Sequence, residues 1–340
     1  PAWWEHREHY APCCSCRSCA CLSKSVMRPL RVLHVSAYSF AQFGGVQRHV
    51  LDLSQALRDR GHDVLVMGPA GGEPVRDVRK AGTSRRISLA GTRFEITSLD
   101  KAESLTIDRD MRVWRPDIVH VHGIWVPFLP FQVLRSVKAA RVATFHDTTA
   151  PGFTGALMRT AFKHISRHLL DLLDAAIAVS QTPLEHLRPG PRGVRPVIIP
   201  PVTQLQQFTA LAPPPVSQPW HVVHWGRLEP RKDIGVFLDA IEKLHTRAGT
   251  TTALPRFTIA GDGPEAHKVK EAAARFGPGV LHYRPPPTAT ELNSLLASSH
   301  VSVFPAAYGE SFGIVLAESL SSGRPAIAAA NPGYQGVMTG

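Results

Sequence analysis

Beyond residue 26 this 340-residue sequence contains no cysteine. Its five cysteines, Cys13, Cys14, Cys16, Cys19 and Cys21, crowd together near the start. A disulfide framework spreads its cysteines through the fold, so none is expected here. Cys16 and Cys19 have the spacing of a zinc-ligand pair, but no second pair follows to complete a site. Long apolar runs are missing as well. The nearest, Ile118 to Leu134, is broken by His120, His122, Pro127 and Pro130. It falls short of the ~20 residues a membrane-spanning helix needs. There is no phosphate-cradling G-x-x-x-x-G-K-[ST] loop and no dinucleotide fingerprint G-x-G-x-x-G, which disfavours a P-loop nucleotidase and leaves no dinucleotide signature. Residues 1–26 also lack a hydrophobic period and the unbroken apolar stretch of a secretory signal. They are expected to be a leader foreign to the fold or a disordered tail.

What is present is apolar material for two cores: 44% hydrophobic residues against 19% charged. That composition excludes wholesale disorder. The net charge of +11 is uneven. Residues 27–218 hold 24 basic and 15 acidic side chains, whereas residues 219–340 hold 11 and 10. A basic half suits an anionic partner, whether nucleic acid, a membrane surface or a phosphorylated substrate. Nucleic acid is set aside, because no zinc finger, aromatic RNP motif or other recognised module accompanies the charge.

From Leu30 onward short β-branched runs alternate with helical patterns. Strands are expected at 31–36, 63–67, 118–122, 141–145, 176–179 and 197–199. A helix is expected over 46–60, with Val46, Val50, Leu53 and Leu57 on one face. Residues 203–219, rich in Pro and Gln, read as a linker. The alternation then restarts, with strands at 221–225, 257–260, 280–283, 301–304 and 325–329. Helices are expected at 234–245, 265–276, 289–298 and 313–322. This pattern predicts an α/β protein of two parallel-sheet domains, residues 27–202 and 220–340. Ligands of such sheets sit beyond the carboxyl ends of the strands, here in a cleft between two facing domains.

Polar motifs fall at those strand ends. Gly44 and Gly45 open the first helix, where a glycine backbone lets a ligand approach and free N–H groups suit an anion. His146 ends a strand and reads either as a strand-capping histidine or as a donor, acid or base toward a substrate hydroxyl. His120 and His122 share a strand face and could serve as a metal pair, but no carboxylate or cysteine companion is evident, so no metal site is expected. Arg227 and Lys232 bracket a turn after strand 221–225 and suit a diphosphate. Glu310 and Glu318 flank a helix start at Gly313 and Ile314, preceded by Ser311 and Phe312. That helix start could hold a phosphate, with the carboxylates accepting from sugar hydroxyls. Glu318 is expected about two turns into the helix.

Taken in order, these motifs resemble the retaining glycosyltransferases of family 4, with the GT-B fold of two Rossmann-like domains. Glu310 and Glu318 match the family's E-x7-E signature, Arg227 and Lys232 its phosphate pair, Gly44 and Gly45 its glycine loop, and His146 its active-site histidine. Gly261-Asp262-Gly263-Pro264-Glu265 matches a further loop. Tyr38-Ser39-Phe40, Gly44-Gly45-Val46-Gln47 and Val142-Ala143-Thr144-Phe145-His146 look most like phosphatidylinositol mannosyltransferases.

The resemblance implies transfer of a sugar, with retention, from a GDP- or UDP-linked donor to a lipid-linked or glycan acceptor. Arg227, Lys232 and the amides near Gly313 and Ile314 would take the diphosphate. Glu310 and His146 would contact the transferred sugar, and Glu318 the ribose. Gly261, Ser311 and Phe312 would lie on the donor side. No cofactor and no essential metal are implied, and the expected location is cytoplasmic, peripheral on the inner face of the membrane. The family usually continues with further helices, so the second domain is expected to be truncated. A truncated chain leaves a second reading open: a nucleotide-sugar binder with little turnover. Residues 283–287, Tyr-Arg-Pro-Pro-Pro, depart from the family at the base pocket. Basic residues support an anionic acceptor or lipid surface. Arg76, Arg79, Lys80, Arg85 and Arg86 are expected in a long connection. Arg159, Lys163 and Arg167 are expected on a helix opposite Leu157, Ala161, Ile165 and Leu169.

Overall fold

The structure is a computed structural model. It describes residues 28–339 apart from 41–43, 71–77, 90–91, 127, 150–151, 210, 213, 215–218 and 248–253. The expected leader 1–26 and Arg76 lie outside the described residues.

The first half runs β1 (Arg31–Ser36), α1 (Gly45–Arg58), β2 (Asp63–Ala70), β3 (Val78–Leu89), β4 (Thr92–Ser98), α2 (Lys101–Trp114), β5 (Ile118–His122), α3 (Leu129–Ser136), β6 (Ala140–Phe145), α4 (Gly152–Asp171), β7 (Ala175–Ala178), α5 (Gln181–Leu184) and β8 (Val197–Ile198). These strands form one sheet in the order β4-β3-β2-β1-β5-β6-β7-β8, parallel except for the antiparallel β3–β4 pair. The connection expected around Arg79, Lys80, Arg85 and Arg86 is therefore strand. β3 pairs with a neighbour on each side, so backbone hydrogen bonds hold it where no apolar alternation marks it.

Alternate residues of the central strands face opposite ways. Leu33, Val35, Val119, Val121, Ala143 and Phe145 point into one apolar core with residues of α2, α3 and α4. The other face lies under α1 and sets the buried His34, His120 and His122 beside the buried Val32, Val64 and Val66. On α4, Phe153 (85% exposed), Leu157 (65%) and Ile165 (45%) face solvent. Arg159 and Lys163 are half-buried beside them. Leu169 and Leu170 enter the core, and Phe162 stacks on Trp125 at its edge.

The second half runs α6 (Gln206–Thr209), β9 (His221–Trp225), a 3-10 turn (Pro230–Lys232), α7 (Ile234–Arg247), β10 (Arg256–Ala260), α8 (Ala266–Phe276), β11 (Leu281–Arg284), α9 (Ala289–Ser298), β12 (Val301–Phe304), α10 (Ile314–Ser321), β13 (Ala326–Ala328) and α11 (Pro332–Met338). Its all-parallel sheet has the order β11-β10-β9-β12-β13. One face is packed by Leu228, Ile234, Phe237, Ile259 and Val269. The other is packed by Trp225, Leu292, Leu296, Phe304 and Tyr334. Phe208 of α6 is buried in that second cluster, so the chain joins this core before β9 begins. At the end of β10, Gly261 lies so close to the loop after β9 that any Cβ would overlap the carbonyl oxygen of Gly226.

The two sheets meet at their carboxyl ends. Ser180, which caps α5, donates through Oγ to the backbone carbonyl of Ser311, and Ser311 Oγ donates to the carbonyl of His146. One serine of the second domain is thus tied to two strand ends of the first.

Candidate active site

The cations after β9 lie against carboxylates. Lys232 Nζ is 2.5 Å from Glu310 Oε1, and Arg231 Nη1 is 3.0 Å from the same oxygen. Arg231 also donates to Glu229 Oε2 (2.8 Å) and to the carbonyl of Gly309 (2.6 Å). Arg227 pairs with Glu229. Three cations thus share two carboxylates, leaving one net positive charge. Burial lowers the Lys232 ammonium, and the adjacent Glu310 opposes that shift. Arg231 was not singled out in the sequence; its distinguishing feature is contact with Gly309 and Glu310, 78 and 79 residues away in the chain.

Glu310 enters from the loop before α10. Gly313, with φ +91°, turns that loop into the helix, a conformation that favours glycine, and a Cβ there would press on Tyr334. α10 starts at Ile314 with no side-chain cap at Gly313, so its first amides keep their capacity for an anion. Ser311, Phe312 and Ile314 are half-buried beside this start. Glu318 lies about one turn in, not two, since it stands only four residues past Ile314. Its carboxylate accepts from Trp225 Nε1 at 2.9 Å, and burial pushes it up to about 7.

The first domain supplies the facing wall. Gly45 stands where a Cβ would touch Ile314 Cδ1, and Gly44 where one would lie 3.7 Å from Arg227 Nη1. The glycine loop, the cations and the α10 start therefore converge at one seam. Tyr38 and Asp147 border it: Tyr38 Oη donates to Asp147 Oδ1 at 3.0 Å, while the buried Asp147 Oδ2 has no partner among the described residues. Burial raises both groups. Neither was singled out in the sequence as a site residue. Gly261 packs against the Gly226 carbonyl, which precedes Arg227 in the chain.

His146 lies beside this wall, at the mouth of a layer of buried histidines. The face of the first sheet under α1 carries His34 of β1 and His120 and His122 of β5, with His34 in register with His120. His34 Nδ1 is 3.1 Å from His122 Nε2, and His122 Nδ1 is 3.2 Å from His146 Nε2. His120 Nε2 is 2.7 Å from Thr144 Oγ1. His49 projects from α1 onto His122 and His146, its Nδ1 accepting from the Val202 N–H at 2.9 Å. Burial depresses all five imidazoles, His34 to about 3 and His49 to about 4. The companion that His120 and His122 lacked in the sequence is therefore present, as a third histidine. The α1 face expected from Val46, Val50, Leu53 and Leu57 is corrected too. Val50 is buried, and Gln47, His49, Asp52 and Ser54 are buried with it: Gln47 donates to the Ser39 carbonyl, His49 accepts from the Val202 N–H, Asp52 accepts from Arg48 and Ser54 donates to the Val50 carbonyl.

Residues 43–207 match the model of Glycosyltransferase Family 4, and residues 219–340 match that of Glycosyl transferases group 1. The chain is 31% identical over 319 residues to a phosphatidyl-myo-inositol mannosyltransferase of Mycolicibacterium smegmatis, covering 91% of this chain and 78% of that relative. It is 27% identical over 337 residues to a glycogen synthase of Mycobacterium tuberculosis, covering 88% and 77%. Among solved structures it is similar to Anabaena Alr3699/HepE in complex with UDP and glucose, with a TM-score of 0.64 at 16% identity, covering 91% of this chain and 83% of that one. It is also similar to a sucrose-phosphate synthase from Thermosynechococcus elongatus, with a TM-score of 0.64 at 16% identity, covering 90% and 82%.

Proposed function

The chain belongs to glycosyltransferase family 4, and we propose that it moves a hexose, with retention of configuration, from a nucleotide-sugar donor to a lipid-linked or glycan acceptor. The observation that carries this reading is the convergence of Arg227, Arg231 and Lys232 with the uncapped start of α10 at the seam faced by Gly44 and Gly45. Such a cluster suits a diphosphate whose charge grows as it leaves. On entry the diphosphate would displace Glu229 from Arg227 and Glu310 from Lys232, leaving Glu310 to accept from hydroxyls of the sugar. Glu318, ionised, would accept from the ribose. His146, with its Nε2 engaged by His122, would present its remaining edge toward the sugar. Catalysis would then rest on charge stabilisation and positioning, and no step calls on a cofactor.

Mannosyltransferase relatives favour mannose, whereas the solved neighbour holds UDP and glucose, so the proposal keeps both GDP- and UDP-linked donors. For the acceptor side, α4 offers exposed Phe153, Leu157 and Ile165 beside Arg159, Lys163 and the exposed Arg167. That combination suits peripheral binding to an anionic lipid surface. Among the described residues no helix is long and apolar enough to cross a membrane. The test is a thermal-shift panel of nucleotide sugars followed by transfer assays with the stabilising donor. Transfer that is lost in Arg227→Ala supports the reading. Transfer unchanged in Arg227→Ala and Glu310→Ala overturns it, and binding without turnover reduces it to a donor-binding module.

A further inference from the structure

The histidine layer under α1 contains more imidazoles than the proposed transfer reaction uses. We propose that His34, His120 and His122 form a binding site for a divalent transition-metal ion of the zinc and cobalt class, set behind the active-site histidine. One ring nitrogen from each of the three lies within 4.8 Å of the others. His34 Nδ1 and His122 Nε2 already face each other at 3.1 Å, close to the separation of two nitrogens sharing a tetrahedral ion. All three side chains are buried. Two of the ligands also have the outer partners that orient metal-bound histidines. His120 can donate Nε2–H to Thr144 Oγ1, and His122 can donate Nδ1–H to His146 Nε2.

A second trio, His49, His122 and His146, is equally compact but chemically poorer. The Val202 N–H donates to His49 Nδ1, so neutral His49 carries its proton on Nε2 and offers no lone pair there. Three neutral imidazoles leave one tetrahedral position for water or hydroxide. An ion so held would fix His122 with Nδ1–H toward His146, and thereby fix which nitrogen of His146 carries its proton. The site rests on the chain's own residues and stands whether or not the proposed transfer reaction is correct.

The test is metal binding by the full chain, with its five thiols alkylated to silence the cysteine cluster. Cobalt(II) absorption reports the site directly, and equilibrium dialysis against zinc gives the stoichiometry. One tightly bound equivalent is expected, with a tetrahedral cobalt spectrum free of a thiolate charge-transfer band. His34→Asn and His120→Asn should weaken binding by about 100-fold or more, and Thr144→Val, which keeps every ligand, by about 10-fold. His49→Asn should leave affinity unchanged, as should the double change His164→Asn, His168→Asn, which removes a neighbouring pair on α4. Circular dichroism confirms that each variant is folded. Absence of a bound equivalent in the parent chain overturns the proposal. So does binding that survives His34→Asn and His120→Asn, or binding lost with His49 or with the α4 pair.

Discussion

Replacing Glu310 with glutamine should loosen the fold and tighten nucleoside diphosphate binding together. Glu310 Oε1 lies 2.5 Å from Lys232 Nζ, and the two side chains are 10% and 13% exposed. Unit charges at that separation attract by roughly 6–7 kcal/mol at an effective dielectric near 20. Most of that offsets desolvation. The measurable consequence of removing one partner of a buried pair is a loss of about 3–5 kcal/mol, because the other charge stays buried alone. Arg231 keeps Glu229, so the loss falls on Lys232, and the glutamine amide oxygen can still accept from it. About 3 kcal/mol is therefore expected in the unliganded protein. A diphosphate reaching Glu310→Gln meets an ammonium that no carboxylate holds. If it recovers about 1.4 kcal/mol of the lost pairing, affinity rises about 10-fold. Transfer should slow in the same variant, because the carboxylate that would grip the sugar is gone.

The assay combines thermal melts with and without GDP and UDP, calorimetric titration of both, and initial transfer rates. A lower melting temperature, partly restored by nucleotide, with tighter binding and slower turnover is the expected set. Weaker nucleotide binding at an unchanged melting temperature would refute the reasoning. Glu310 would then not be the group that neutralises Lys232 in the empty site.

Four further outcomes follow from the geometry. Glu318 is raised to about 7 by burial, so ribose recognition by its ionised form should strengthen as pH rises through 7, and Glu318→Gln should flatten that dependence in a titration series. His186, His221 and His224 are each depressed by burial to about 4. Because their unfolded value is near 6.5, their contribution is intact above that pH and is lost as pH falls toward 4. Each should cost about 1 kcal/mol between pH 6.5 and 5.5, read by denaturant unfolding. Gly313→Ala forces a Cβ into the left-handed region against Tyr334 and should cost about 2 kcal/mol or more while weakening donor binding. Leu157→Gln on α4 should reduce co-sedimentation with anionic vesicles several-fold without lowering the melting temperature, since the side chain is 65% exposed.

Much of the fold was legible because parallel strands buried on both faces read as β-branched runs. β5, β9 and β12 fall where Ile118–His122, His221–Trp225 and Val301–Phe304 predicted them. The β3–β4 hairpin was not legible, since it is specified by pairing partners rather than by a side-chain period. The motifs that meet at the seam were legible one by one, because a helix start after glycine and a basic turn are local features. Their partners were not: that Lys232 lies on Glu310, or Ser311 on the carbonyl of His146, depends on how two domains meet. The histidine layer shows the deeper reason. Hydrophobic periodicity reports which face of α1 avoids water only if the surface beneath is apolar. Here His34 meets His120 through strand register alone, 86 positions apart in the chain, and no spacing rule on either strand reveals it. His49 is buried against His122, His146 and the Val202 N–H, and Asp52 against Arg48 and the Gln204 backbone, so polar residues of α1, usually read as the solvent side, lie inside.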